Sequence, residues 1–115
     1  MCLGWRSLLN EPKYGPKPLN RFVFRSAGLH TPEGADRKAY TARTFRAPSA
    51  DFVKRMQNDP TSVGSKEYTR VLALSGGLPI KVGDDVVGAV GVSGSPGKDD
   101  DCFQAGIDKV AAQLK

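Results

Sequence analysis

A chain of 115 residues corresponds to about one domain and is long enough to bury a single core. Its 39% hydrophobic and 25% charged residues are ordinary for a globular protein, while 13 glycines and 8 prolines predict many turns and short elements. No apolar run approaches the ~20 residues that span a bilayer, and two cysteines, Cys2 and Cys102, are too few for a disulfide scaffold and lack zinc-ligand spacing.

Residues 1–70 hold 13 Lys/Arg against 6 Asp/Glu, whereas residues 71–115 hold 4 against 6. A basic front suits nucleic acid, anionic lipid or an anionic small molecule. Its charges are scattered rather than blocked, which favours a solvated surface and disfavours nucleic acid as the partner. Met1–Pro12 has too short an apolar stretch for a secretory signal, so the chain as written reads as cytoplasmic.

In chain order, Met1–Asn20 is rich in Pro, Gly and Lys around Trp5 and Tyr14 and shows no sustained period. It is expected to pack little against the core, within a divergent or loosely packed segment 1–30 that precedes a domain at 31–115. Residues 21–25 alternate weakly, as a short strand. Thr31-Pro32-Glu33 predicts a helix start, with threonine as cap, proline in the first turn and glutamate at the positive dipole end. The helix, near 33–46, carries Ala35, Ala39 and Ala42 on one face, a smooth stripe for a sheet. Ala47-Pro48 ends it and Ser49 caps a second helix over 50–57 that buries Phe52, Val53 and Met56. Asn58-Asp59-Pro60 stops that helix. A polar loop and then a strand over 68–74 follow, with Tyr68, Arg70, Leu72 and Leu74 on one face.

Val71–Ser95 is the densest β-branched stretch of the chain. Residues 78–82 and 86–93 are predicted to pair as an antiparallel hairpin across Gly83-Asp84-Asp85. The second of these strands is small or apolar on both faces, so it should be central. Asp99 then caps a helix over 100–114, with Phe103, Ile107, Val110 and Leu114 on one buried face. The fold class is therefore α+β, a mostly antiparallel sheet covered by helices.

Gly76-Gly77-Leu78-Pro79-Ile80, Gly88-Ala89-Val90-Gly91-Val92-Ser93-Gly94 and Cys102-Phe103-Gln104-Ala105-Gly106-Ile107 resemble the GlcG/HbpS family of haem-binding and haem-degrading domains. Lys38-Ala39-Tyr40-Thr41-Ala42, with Phe45 and Pro48-Ser49, fits the same family at the expected spacing. The domain type is also similar to the C-terminal domain of some corrinoid adenosyltransferases. The likeness runs from Glu33 to Leu114 and stops over the first thirty residues, where the family has a long helix and a strand pair. The resemblance implies a profilin-like arrangement, self-association into a homo-oligomer, and haem or another tetrapyrrole as ligand. A haem-degrading enzyme and an accessory protein of glycolate or corrinoid metabolism are the alternatives it implies, and a basic nucleic-acid-binding module is the alternative suggested by charge.

Within the family-like helix, Arg37 and Lys38 are the candidate contacts to an anionic ligand, with Thr41 and Ser93 adding hydroxyls. His30 is the only histidine, hence the only imidazole available to a metal, and a surface-loop role competes with that. Glycines at 88, 91, 94 and 97 do not form a dinucleotide or P-loop pattern. Gly88 and Gly91 are better explained as close-approach positions for a helix. Asp99, Asp100 and Asp101 lack the spacing of an EF-hand, and helix capping accounts for them. No Ser/His/Asp or Cys/His constellation can be assembled around one histidine.

Overall fold

The structure, a computed structural model, describes residues 5–10, 18–22, 27–95 and 97–113. Chain order gives β1 (Trp5–Asn10), β2 (Pro18–Phe22), α1 (Thr31–Phe45), α2 (Ser49–Asn58), a 3-10 helix (Pro60–Glu67), β3 (Gly77–Val82), β4 (Asp85–Ser93), α3 (Asp99–Val110) and a last 3-10 turn (Ala111–Gln113). The strands form one antiparallel sheet in the order β2-β1-β4-β3. The α+β class is as read from the sequence, and β4 is central as its two apolar faces require.

The hairpin forms where the β-branched run is interrupted: β3 and β4 meet at Gly83-Asp84, and Gly83 takes the positive φ of 60°. Across that hairpin Gly77 stands opposite Gly91. A Cβ built on Gly91 would lie 2.0 Å from the Ala35 carbonyl oxygen, and one on Gly77 would lie 2.2 Å from that of Lys38. The two glycines thus form a flat strip on which the backbone of α1 rests. Ala35, Ala39 and Ala42 are the residues that face it, and all three are fully buried. Val90, Val92 and Leu78, which alternate with the strip, are buried as well. Beyond α1, the Phe45 and Phe52 rings stack at 4.4 Å and fix α2.

Several expectations are corrected. Residues 1–30 are not loosely packed where the structure describes them: β1 lies between β4 and β2, pairing Trp5 to Ser93 through Asn10 to Gly88, and α1 packs against it. The strand expected at 21–25 is β2, shifted towards the N-terminus; residues 23–25 lie outside the described residues. Residues 68–74 form no strand. Tyr68 and Leu74 are exposed and Val71 is buried, the reverse of the alternation expected. The backbone there is held by α1 side chains: Arg37 Nη2 donates to the Val71 carbonyl at 2.9 Å, and the Leu72 N–H donates to Thr41 Oγ1 at 2.9 Å.

The caps also differ. His30, not Thr31, is the cap residue of α1, and the Thr31 hydroxyl donates back to the Gly28 carbonyl at 2.7 Å. Ser49 accepts the Gly77 N–H at 2.9 Å across to β3 instead of capping α2. On α3, Phe103 and Ile107 are half-buried and Val110 is exposed, so its apolar face is only partly covered; Leu114 lies outside the described residues. No described helix is long and apolar enough to cross a membrane.

Replacing Gly91 with alanine drives a methyl group into main-chain atoms of α1 that have no room to yield. The expected loss is about 3 kcal/mol or more, read as a fall in the urea midpoint, and a change below about 0.5 kcal/mol would contradict the close approach.

Candidate functional site

The flank of α1 turned away from the alanine stripe carries His30, Glu33, Gly34, Arg37 and Lys38, spaced at i, i+3, i+4, i+7 and i+8, so they line up along one side of the helix. With Leu72, Leu74 and Ser75 from the irregular segment, and Ser93, Gly94, Gly97 and Asp99 from the end of β4 and the start of α3, they enclose a cavity of about 440 Å³. That size lies within the range of small-molecule sites.

Four of the five residues singled out from the sequence meet here: His30, Arg37, Lys38 and Ser93. Thr41 does not line the cavity. It is fully buried one turn further along, donating to the Arg37 carbonyl at 2.8 Å and accepting from Leu72 N–H, so it hangs the leucine wall on the helix. Glu33, Leu72, Leu74, Ser75 and Asp99 were missed. The helical recurrence from His30 to Arg37 is a signal that could have found Glu33, but Leu72 and Leu74 were hidden by the strand assignment.

Lys38 is only 4% exposed. Its ammonium donates to Asp99 Oδ2 at 2.8 Å and to the Val92 carbonyl at 3.1 Å, so it is a paired buried charge and not part of a solvated helix face. Asp99 does not cap α3 as expected. It is the first helical residue, and its other oxygen accepts the Ser95 N–H at 2.9 Å. Beside it, Asp100 Oδ1 accepts the Gly76 N–H at 2.7 Å. Gly76 has a φ of 110°, and a Cβ there would lie 2.6 Å from the Val92 oxygen and 3.0 Å from Lys38 Nζ. Glycine is therefore required for the chain to enter β3 past the ion pair.

Arg37 donates to Glu33 Oε1 at 3.3 Å and to the Val71 carbonyl, while its Nε is buried and has no hydrogen-bond partner among the described residues. His30 is exposed at the rim. Ser93 is 7% exposed, and its hydroxyl makes no hydrogen bond among the described residues. Among those residues no group of three or more His, Cys, Asp or Glu could hold a metal ion.

Two measurements check this account. Lys38→Met or Asp99→Asn each leaves a buried partner uncompensated and is expected to cost about 3–5 kcal/mol in urea unfolding; the double replacement should cost less than the two single losses together. Burial raises the Asp100 carboxyl above its ordinary value of 3.8, against the opposing pull of the Gly76 hydrogen bond and of Lys38. The folded chain therefore holds that proton more tightly than the unfolded one. Its contribution is fully present below about pH 3.8 and is lost as pH rises through the raised value. Asp100→Asn keeps the acceptor and removes the charge, so stability at neutral pH should be equal or higher, with a flatter acid profile; a loss at neutral pH larger than at pH 4 would contradict this.

The profile of the family described as "Haem degrading protein HbpS-like" matches residues 18–108, well over half of the chain. No curated protein matches the sequence significantly. Among solved structures, HbpS superposes with a TM-score of 0.76 at 29% identity, covering 92% of this chain and 74% of its own. ORFY of Klebsiella pneumoniae gives 0.80 at 22% identity, over 95% of this chain and 77% of that one. PduOC in its complex with haem gives 0.73 at 22%, over 90% and 75%. The last two likenesses carry the fold, and the family match carries the kinship: this chain belongs to the HbpS-like family of haem-degrading proteins.

Proposed function

We propose that this domain binds haem or a related tetrapyrrole in the cavity beneath α1. The observation that carries the reading is that one cavity gathers an apolar wall, an arginine, a buried lysine and the chain's sole histidine. A tetrapyrrole is broad and apolar, carries carboxylates at its edge and holds a metal at its centre. Leu72 and Leu74 suit the ring, and Thr41 holds that wall in place through Leu72. Arg37 brings a positive charge to the lining, which suits an acidic ligand. His30, at the rim, is the residue suited to the iron. Bound haem would supply an iron centre for redox or diatomic-ligand chemistry; the protein's part is to hold and orient it and to keep one face dry.

Titration of the full chain with hemin is expected to give a saturable, stable shift of the Soret band. Leu72→Asp should abolish it, and His30→Ala should alter the iron spectrum with less effect on affinity. Absence of a saturable shift in the unaltered chain would end this reading. The family description favours a second reading, haem degradation, which predicts progressive loss of the Soret band with reductant and oxygen where a binder keeps it.

Self-association belongs to the same proposal. Val87 and Val110 are exposed apolar residues away from the cavity, and a second copy would cover such surface. Sedimentation velocity is expected to show a species larger than the monomer; a monomer at all concentrations would remove this part.

A further inference from the structure

We infer that the ligand's carboxylate is received at the first turn of α1, by the main-chain N–H of Glu33 and the hydroxyl of Ser93, and not by the ammonium of Lys38. The inference rests on reading the cavity as a ligand site and deepens it. The four ionised side chains in the lining are paired with one another, Lys38 with Asp99 at 2.8 Å and Arg37 with Glu33 at 3.3 Å, and the one donor nitrogen left over, Arg37 Nε, is itself buried out of a carboxylate's reach. Lys38 spends a further donor on the Val92 carbonyl. A carboxylate reaching for that ammonium would have to displace Asp99 and leave a second buried carboxylate unpaired.

The start of α1 has no such competitor. It is a 15-residue helix whose cap residue, His30, supplies no side-chain hydrogen bond. Of the first amides, Thr31 N–H goes to the Gly28 carbonyl and Gly34 N–H to the His30 carbonyl, and Pro32 has no N–H. Glu33 N–H is left without a partner among the described residues, at the positive end of the helix dipole. Ser93 is the independent second sign. It is 93% buried, since only 7% is exposed, it lines the cavity, and its Oγ lies so near Gly34 that a Cβ there would stand 2.9 Å from it. Its hydroxyl lies beside the first turn of α1 and makes no hydrogen bond among the described residues, so it is open to a ligand in the cavity. Glu33 and Asp99 carboxylates share the same cavity, so the site suits a single negative charge and opposes a dianion.

The test uses the full-length chain labelled with nitrogen-15 and sodium propionate at constant ionic strength. The expected result is a saturable shift of the Glu33 and Gly34 amides. Ser93→Ala, which removes no hydrogen bond within the described protein, should weaken propionate by about tenfold or more. Gly34→Ala places its methyl against the Ser93 side chain alone and adds a better helix former, so it should fold and weaken propionate likewise. Unmoved amides, equal shifts in both variants, or tighter binding of inorganic phosphate than of propionate would each overturn the inference. Hemin and its dimethyl ester separate it from the tetrapyrrole reading. Hemin binding that is equal in the unaltered chain and both variants sinks the carboxylate site alone, whereas propionate binding without hemin binding keeps that site and sinks the tetrapyrrole.

Discussion

The buried contact between Lys38 and Asp99 is the interaction on which the arrangement depends. One ammonium joins three elements: α1 through its own backbone, the end of β4 through the Val92 carbonyl, and the start of α3 through Asp99. Removing either ion from water is costly, and the cost is offset only because each keeps further hydrogen bonds, Lys38 to Val92 and Asp99 to the Ser95 amide. The neighbouring residues conform to it. Gly76 has to be glycine to pass the ammonium, and Asp100 turns its oxygen to the Gly76 amide. A pair of leucines in the same places would pack without direction; the ion pair fixes one register of helix against strand end.

The glycine strip performs the complementary task. Because Gly77 and Gly91 stand side by side across the hairpin, the main chain of α1 sits directly on the sheet with only alanines between. A helix lowered this far brings its other flank level with the end of β4. That is why residues as far apart in sequence as His30 and Ser93 bound one cavity. Packing on one side of the helix thereby creates chemistry on the other.

The parts of this fold that were legible are those in which a local pattern has one physical solution. The alanine stripe of α1, the stop at Asp59-Pro60 and the turn at Gly83 each have such a solution, and all stand where the residues indicated. The segment 68–74 was misread because its alternation is real but its hydrogen-bond partners are side chains from another element, which no window of sequence reveals. Thr31, Ser49 and Asp99 were misread for the same reason. Each is a good local cap, and each has a stronger non-local or looping partner in Gly28, Gly77 or Lys38. β1 was hidden by the prolines and glycines around it, since its place is set by the open side of β4 and not by its own composition. In the site, charge within the family-like helix pointed to Arg37 and Lys38, and Thr41 and Ser93 were added for their hydroxyls. What could not be read was that the charges neutralise each other, because Glu33 and Asp99 enter only through the fold.

The leucine wall hangs from α1 by two side-chain bonds, Thr41 to Leu72 and Arg37 to Val71, and among the described residues it takes no hydrogen bond from the sheet ladder. Apart from Val71, which is buried in the core, its residues are therefore placed by α1 and not by strand register. A scaffold built in this way separates the part that must stay constant from the part that selects what is held. Divergence among domains of this shape would then concentrate in that short suspended segment, and grafting it from one relative to another is the most economical way to transfer a ligand preference.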